Sequence, residues 1–237
     1  MTRQPAAPLV DPLLSVVMPA YNERDTIEEI IRRVLAVPVR LELIVVDDCS
    51  TDGTRDMLAG LQRELGFTLL LQPENRGKGA ALRTGFGSVR GDLVVIQDAD
   101  LEYSPEEFPD LIELICQGRA DVVYGSRFLG RHRVFLFTHY LGNRLLTFLT
   151  NVLYNTMLTD METCYKVMRT DVLRSMELKS DGFGIEPELT AKVFKRRYRV
   201  YEVPISYDGR GYDEGKKITW RDGVVALWVL VKYRFTE

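Results

Sequence analysis

The chain has 237 residues, 46% of them hydrophobic, and a formal net charge of −3 at pH 7. This size suits one α/β domain with a sizeable core, and the negative charge argues against a nucleic-acid binder held by bulk positive charge. Three widely spaced cysteines, Cys49, Cys116 and Cys164, predict reduced thiols in a cytoplasmic protein. No stretch reaches the roughly 18 apolar residues of a membrane-spanning helix.

Short apolar runs alternate along the chain with segments of helical periodicity. The runs predict strands at residues 13–18, 41–46, 67–71, 93–96, 120–124 and 199–205. Alternation of strands and helices with short loops predicts a mostly parallel sheet covered by helices. Three parts are expected: a flexible arm (residues 1–12), the main domain (residues 13–210), and a basic loop with a C-terminal amphipathic helix (residues 211–237).

Acidic residues follow two of these strands, and polar residues follow a third. The strand at 93–96 ends in Gln97-Asp98-Ala99-Asp100, with Glu102 close behind. Ligands of open α/β sheets bind at the carboxyl ends of the strands, and paired carboxylates suit Mg²⁺ or Mn²⁺. Asp98 and Asp100 therefore predict a metal site, although a solvated acidic turn has the same local pattern.

Two common nucleotide-binding motifs are missing from the sequence. No GxGxxG fingerprint follows the first strand, and no GxxxxGK loop is present. Five other segments occur in order: VVMPAYNE, LIVVDDCSTDGT, NRGKGAALRTGF, VVIQDADLEY and VVYGSRF. Together they resemble the family 2 glycosyltransferases of the GT-A (Rossmann-like) fold. More narrowly, the chain is similar to dolichyl-phosphate mannose and glucose synthases and their bacterial polyprenyl-phosphate relatives.

The resemblance implies a role for specific residues. It implies that Pro19, Tyr21, Glu23 and one of Asp47 and Asp48 hold the nucleoside, and that Asp98 binds the nucleotide through its metal. Lys78 is a further candidate for nucleotide binding, because it lies near a helix N-terminus, which favours phosphate. The resemblance implies that Asp98 and Asp100 hold Mg²⁺ or Mn²⁺, with Glu102 as a less secure ligand because close relatives often have Gln there. Asp47 and Asp48 can equally build a turn, and Lys78 can equally lie at a solvated helix start.

The second half of the chain carries the expected acceptor side. Arg127 follows the fifth strand and is a candidate for phosphate or sugar contact. The resemblance places an acceptor wall at 159–166 and 182–188, where Asp160 is the preferred acid and Glu186 the next. Asp100, Asp160 and Arg127 are thus the expected catalytic residues. Arg210, Lys216 and Lys217 lie in a glycine-broken segment that predicts either a phosphate-closing lid or a disordered connector.

Two helices of the second half have broad apolar faces. In residues 138–158 a narrow polar stripe (Asn143, Thr147, Asn151 and Asn155) crosses an otherwise apolar helix. Such a helix packs in the core or a dimer, or lies in a membrane interface. The C-terminal stripe from Trp220 to Phe235, with basic residues at its ends, is typical of an interfacial helix.

The expected function is inverting, metal-dependent transfer of glucose or mannose from a UDP- or GDP-sugar to a polyprenyl or dolichyl phosphate. The protein would act peripherally at the cytoplasmic face of a membrane, with homo-oligomerisation open. A glycosyltransferase acting on a sugar or protein hydroxyl is the alternative, and it would require a carboxylate base such as Asp160 or Glu186. A non-catalytic nucleotide-sugar-binding or membrane-scaffold domain and a nucleotidyltransferase are further alternatives.

Overall fold

The computed structural model describes residues 6–133, 137–209 and 220–236. The strands are β1 (Leu14–Ala20), β2 (Leu41–Asp47), β3 (Thr68–Leu71), β4 (Leu93–Ile96), β5 (Val122–Ser126), β6 (Lys166–Arg169) and β7 (Val200–Pro204). The α-helices are α1 (Ile27–Ala36), α2 (Thr54–Leu65), α3 (Lys78–Phe86), α4 (Phe108–Cys116), α5 (Phe137–Tyr154), α6 (Thr170–Arg174), α7 (Ile185–Lys195) and α8 (Trp220–Phe235). A 3₁₀ turn, Pro105–Glu107, precedes α4.

The seven strands form one sheet in the order β3-β2-β1-β4-β6-β5-β7. The β1–β2, β1–β4, β2–β3 and β5–β7 pairs are parallel. β1 and β4 are buried along nearly their whole length, because helices cover both faces of a parallel sheet. The expected α/β fold with a mostly parallel, helix-covered sheet is confirmed.

Strand β6 was not expected from the sequence. It runs antiparallel between β4 and β5, with Val95 opposite Val167 and Tyr124 opposite Lys166. Its four residues, KVMR, have charged ends and no apolar run, so hydrophobic patterning does not detect it. Because β6 runs the other way, the loop before it (residues 159–165) lies at the carboxyl ends of β4 and β5.

The polar stripe of α5 faces largely inward, and its apolar side is mostly exposed, with only part of it packed on the core. Thr147 is buried, and its Oγ1 accepts a hydrogen bond from the Met161 N–H at 3.2 Å. The Asn151 side chain bonds both the N–H and the C=O of Leu158, at 2.8 and 2.9 Å. The stripe thus satisfies backbone groups of the following loop, as buried polar groups require. No helix in the described part of the chain is long and apolar enough to cross a membrane.

Candidate active site

Three strand ends that meet at one edge of the sheet share an unusual backbone feature. Asn22 after β1, Cys49 after β2 and Leu101 after β4 all have positive φ angles, of 53°, 64° and 62°. Non-glycine residues adopt this conformation at a cost, and such residues cluster at functional sites. The three sharp turns place the side chains of neighbouring residues around one cleft.

The two acids after β2 are bound by the protein itself. Asp47 is fully buried and its Oδ2 lies 2.6 Å from the Arg55 Nε. Asp48 is buried and accepts hydrogen bonds from the backbone N–H groups of Arg76 and Gly77, at 2.9 and 2.7 Å. The expected turn-building role of this pair therefore accounts for much of its bonding. Asp48 also fixes the loop that leads into α3.

The other residues expected to bind nucleotide lie at the same edge. Pro19 and Tyr21 are partly buried where β1 ends. The Glu23 Oε2 accepts a hydrogen bond from the Thr26 Oγ1 at 3.1 Å. This half of the cleft, formed by the ends of β1 and β2, is called the donor half below.

Lys78 begins α3 and is bound by two carboxylates instead of lying in solvent. Its Nζ is 2.7 Å from the Asp98 Oδ1 and 3.3 Å from the Glu186 Oε1. Burial opposes the charged ammonium, but these carboxylates raise the pKa of Lys78 well above its ordinary value. Gly79 allows the approach of the 180–182 loop, because a Cβ there would collide with the Ser180 carbonyl. Of the two alternatives for Lys78, the solvated helix start does not agree with the structure.

Asp100 and Glu102 are held together by the turn at Leu101. The Glu102 N–H donates to the Asp100 Oδ1 at 3.2 Å, and the Glu102 Oε2 accepts from the Tyr207 hydroxyl at 2.5 Å. Burial and the neighbouring Glu102 carboxylate raise the pKa of Tyr207, so the phenol stays protonated and donates. The segment after β7 is thereby fixed to the acidic turn.

Arg127 and Asp160 form a buried bidentate ion pair. The Arg127 Nε and Nη2 lie 2.7 and 2.8 Å from the two Asp160 oxygens, and the Arg127 backbone N–H adds a third bond at 3.1 Å. Burial opposes the charge, yet Asp160 raises the pKa of Arg127 well above its usual range. The guanidinium also lies 5.1 Å from the centroid of the Tyr207 ring. With both oxygens occupied, Asp160 is suited to positioning Arg127 rather than to accepting a proton.

The sequence did not indicate a second buried pair on this side. The Lys166 Nζ lies 2.5 Å from the Glu186 Oε2 and also donates to the Thr163 carbonyl. Glu162, on the 159–165 loop, has a buried Oε1 with no hydrogen-bond partner among the described residues. The family resemblance placed both residues of the pair in the expected acceptor wall, but nothing in the sequence indicated that they pair, because Lys166 is positioned by the unexpected start of β6. The residues at the ends of β5 and β6 and on the 159–165 loop are called the acceptor half below.

Whether a divalent metal fits this site depends on the oxygen ligands that the residues after β4 supply. Among the residues that the structure describes, no three His, Cys, Asp or Glu side chains converge as a metal site. Mg²⁺ bound beside phosphates takes only one or two protein carboxylates, and Asp98 and Asp100 supply hard oxygen ligands after β4. The Lys78 ammonium shares the Asp98 carboxylate. The oxygen ligands of Asp98 and Asp100 are of the kind that Mg²⁺ or Mn²⁺ takes beside a diphosphate.

The structure thus brings together most of the expected site residues. Asp98, Asp100 and Glu102 separate the donor half, with Asp47 and Asp48, from the acceptor half, with Arg127 and Asp160. Arg210, Lys216 and Lys217 lie outside the described residues. The chain enters that segment from the anchored Asp208, whose N–H donates to the Glu102 carbonyl at 3.0 Å.

Comparison with known proteins identifies relatives over most of the chain. Residues 15–176 match the family model described as "Glycosyl transferase family 2". The low-salt glycan biosynthesis hexosyltransferase Agl6 of Haloferax volcanii is 32% identical over 207 residues, 85% of this chain and 49% of that protein. The dolichol-phosphate mannosyltransferase of Pyrococcus furiosus is 30% identical over 216 residues, 86% of this chain and 58% of that protein.

A third curated relative and the solved structures agree with this. The undecaprenyl-phosphate 4-deoxy-4-formamido-L-arabinose transferase of Edwardsiella ictaluri is 31% identical over 86% of this chain and 62% of its own length. This chain thus spans about half to three-fifths of these relatives. Glucosyl-3-phosphoglycerate synthase from Mycobacterium tuberculosis, solved with Mn²⁺, UDP and glucosyl-3-phosphoglycerate, superposes with a TM-score of 0.74. At 23% identity, over 94% of this chain and 80% of that one, the likeness establishes the shared GT-A fold.

Proposed function

We propose that this chain, which belongs to glycosyltransferase family 2, is a glycosyltransferase that transfers a hexose from a UDP- or GDP-sugar to a polyprenyl phosphate. Two of its curated relatives are named for dolichol-phosphate and undecaprenyl-phosphate transfer. We propose the same class of acceptor, a polyprenyl phosphate, for the present chain. Glucose and mannose are the proposed sugars.

The main support for a lipid acceptor is an apolar helical surface that adjoins the acceptor half. α5 and α8 pack together, with the Tyr154 hydroxyl donating to the Leu230 carbonyl at 2.7 Å. Their outer faces expose large apolar side chains: Phe137, Leu141, Leu145, Phe148 and Val152 on α5, and Val224, Val225, Trp228, Val231 and Phe235 on α8. Contiguous exposed apolar patches mark interaction surfaces, and α5 leads directly into the 159–165 loop.

The charges around this apolar surface favour a lipid bilayer as its occupant. α5 contains no acidic residue, and the last turn of α8 carries Lys232 and Arg234. The Lys232 Nζ lies 5.2 Å from the ring centroid of exposed Trp228. Apolar faces edged by cations and tryptophan are typical of helices lying in a membrane interface. We therefore propose peripheral attachment at the cytoplasmic face, where the nucleotide sugar meets the lipid phosphate.

The donor half would hold the nucleotide and its diphosphate. We assign Pro19, Tyr21 and Glu23 to nucleoside contact, with Asp47 and Asp48 shaping the walls. Asp98 and Asp100, with Glu102 beside them, are the residues that would hold Mg²⁺ or Mn²⁺; the related synthase has been solved with either ion. Such an ion supplies positive charge against the charge that develops on the leaving diphosphate. Lys78 orients Asp98, and Tyr207 orients Glu102.

The acceptor half would hold the attacking phosphate. A phosphate monoester has its second pKa near 6 and is mostly dianionic at pH 7, so it needs a positioned cation more than a base. Arg127, held in one orientation by Asp160, is suited to that task, and Arg210, Lys216 and Lys217 are proposed as further phosphate-binding residues. The phosphate oxygen forms a bond to the anomeric carbon while the bond from that carbon to the diphosphate breaks. This single displacement predicts inversion.

The test is direct transfer by the purified protein. With Mn²⁺ and UDP-glucose or GDP-mannose, a short prenyl phosphate should yield a lipid-linked hexose of inverted anomeric configuration, read by extraction and NMR. The matched control replaces the prenyl phosphate with the corresponding prenyl alcohol. Glycosylation of a hydroxyl acceptor without any product on prenyl phosphate contradicts the proposal. Absence of transfer to every acceptor, with nucleotide sugar still bound, favours the non-catalytic alternative.

A further inference from the structure

Most acids around the cleft already have a cationic or hydrogen-bonding partner. Asp98 is paired with Lys78, Asp160 with Arg127, and Glu186 with Lys166. Glu162 lies on the same 159–165 loop as Asp160, and its buried Oε1 has no hydrogen-bond partner among the described residues. The Glu186 Oε1 also lacks a hydrogen bond, but it lies 3.3 Å from the Lys78 Nζ.

A buried oxygen without a partner is unusual enough to require an explanation, and an absent ligand is one of the accepted explanations. The neighbouring residue has the same feature: Thr163 is fully buried, and its Oγ1 also lacks a partner within the described part of the chain. Of the two side chains, only Glu162 is partly exposed, at the carboxyl ends of β4 and β5, so it is the one that a ligand in the cleft can reach.

The charged groups that face Glu162 come from every neighbouring element. Lys166 of β6 and Arg127 after β5 favour its ionised form, whereas Glu186 of α7 and Asp160 of its own loop oppose it. Burial is the largest effect, and it raises the pKa of Glu162 to about 7. The two cations are already bound by other carboxylates. Glu162 can therefore gain or lose its proton near neutral pH.

We propose that Glu162 is a hydrogen-bond donor to the acceptor phosphate, and that it takes up a proton from solvent when the phosphate binds. An ionised Glu162 would repel the phosphate, whereas a protonated carboxyl presents an O–H to a phosphate oxygen. The proton moves from water or buffer to the carboxylate, and no other bond changes. This inference rests on the proposed function, since it requires a phosphate acceptor, and it adds a residue that selects phosphate over hydroxyl.

The direct test is calorimetric titration of the full chain with a short prenyl phosphate, near pH 7.5, in buffers of different ionisation enthalpy. The wild-type protein should take up more than half a proton per phosphate bound. Its affinity should fall about tenfold between about pH 7 and 8.5 as the carboxyl ionises. Glu162→Gln retains an N–H donor but cannot titrate, so it should bind without proton uptake and with less than about a twofold change.

Two further comparisons keep the test decisive. Glu162→Ala, which has neither donor nor charge, should bind prenyl phosphate about tenfold more weakly than Glu162→Gln, while both bind nucleotide sugar like the wild type. Binding by the wild type without proton uptake overturns the inference even if no variant folds. Equal proton uptake by Glu162→Gln also overturns it. Transfer to prenyl phosphate by the wild type in either case leaves the proposed function standing, whereas no binding of prenyl phosphate at all refutes both.

Discussion

The Arg127–Asp160 pair gives the sharpest prediction about the framework of the site. Asp160→Asn removes one charge but keeps the shape, so the Arg127 guanidinium stays buried without a counter-charge. Both side chains are almost completely inaccessible, at 9% and 0% exposed, and three hydrogen bonds join the two residues. Breaking such a buried pair from one side costs about 3–5 kcal/mol, so the variant should lose that much free energy of unfolding.

Urea denaturation measures this loss as a lower midpoint with an unchanged m value. The matched control is Glu28→Gln, which breaks the exposed i,i+4 pair with Arg32 and should produce a shift close to the limit of measurement. Arg127→Met combined with Asp160→Leu removes both charges and should recover much of the lost stability. If Asp160→Asn is no more destabilising than Glu28→Gln, the buried ion pair does not stabilise the acceptor half as argued.

Three other predictions concern chemistry, protonation and the membrane. Asp100→Asn should lower kcat by at least about a hundredfold, as loss of one strong electrostatic group does, in transfer assays with Mn²⁺; an unchanged rate removes Asp100 from the reaction. Because the raised pKa of Glu162 favours the protonated folded state, the stability that Glu162 contributes should fall by up to about 3 kcal/mol as the pH rises from about 4.5 to 7. Glu162→Gln should abolish that fall in urea titrations, whereas Glu177→Gln, at an exposed carboxylate, should keep it. Trp228→Glu should reduce flotation with anionic vesicles at least about tenfold, unlike Leu71→Glu on β3, and equal loss in both contradicts the assigned surface.

The strands β1, β2 and β4 and the polar residues at their ends were predictable from the sequence. β1, β2 and β4 are mostly apolar because both faces of each strand are largely buried. Where each run stops, polar residues begin, and parallel strands bring those ends to one edge of the sheet. Local patterning therefore sufficed to place Asp98 and Asp100 beside the residues that follow β1 and β2.

The acceptor half depended on contacts between distant segments. β6 is short, begins with Lys166 and lacks an apolar run, so its antiparallel insertion between β4 and β5 left no periodic signal. The partners of Asp160 and Glu186 were equally hidden, since Arg127 is 33 residues from the first and Lys166 is 20 residues from the second. Pairing across such separations follows from the sheet order and not from spacing along the chain.

The sequence by itself determined the family, the α/β class and the acidic strand end, because each is encoded in a run of adjacent residues. Only the tertiary structure decided how these groups are used. It gave Lys78 two carboxylate partners, Asp160 a buried arginine and Glu162 no hydrogen-bond partner for its buried Oε1 among the described residues. It also turned the polar stripe of α5 inward and its apolar face outward. Burial and charge pairing depend on which segments pack together, and hydrophobic periodicity reports only that a helix has two faces, not which one meets the protein.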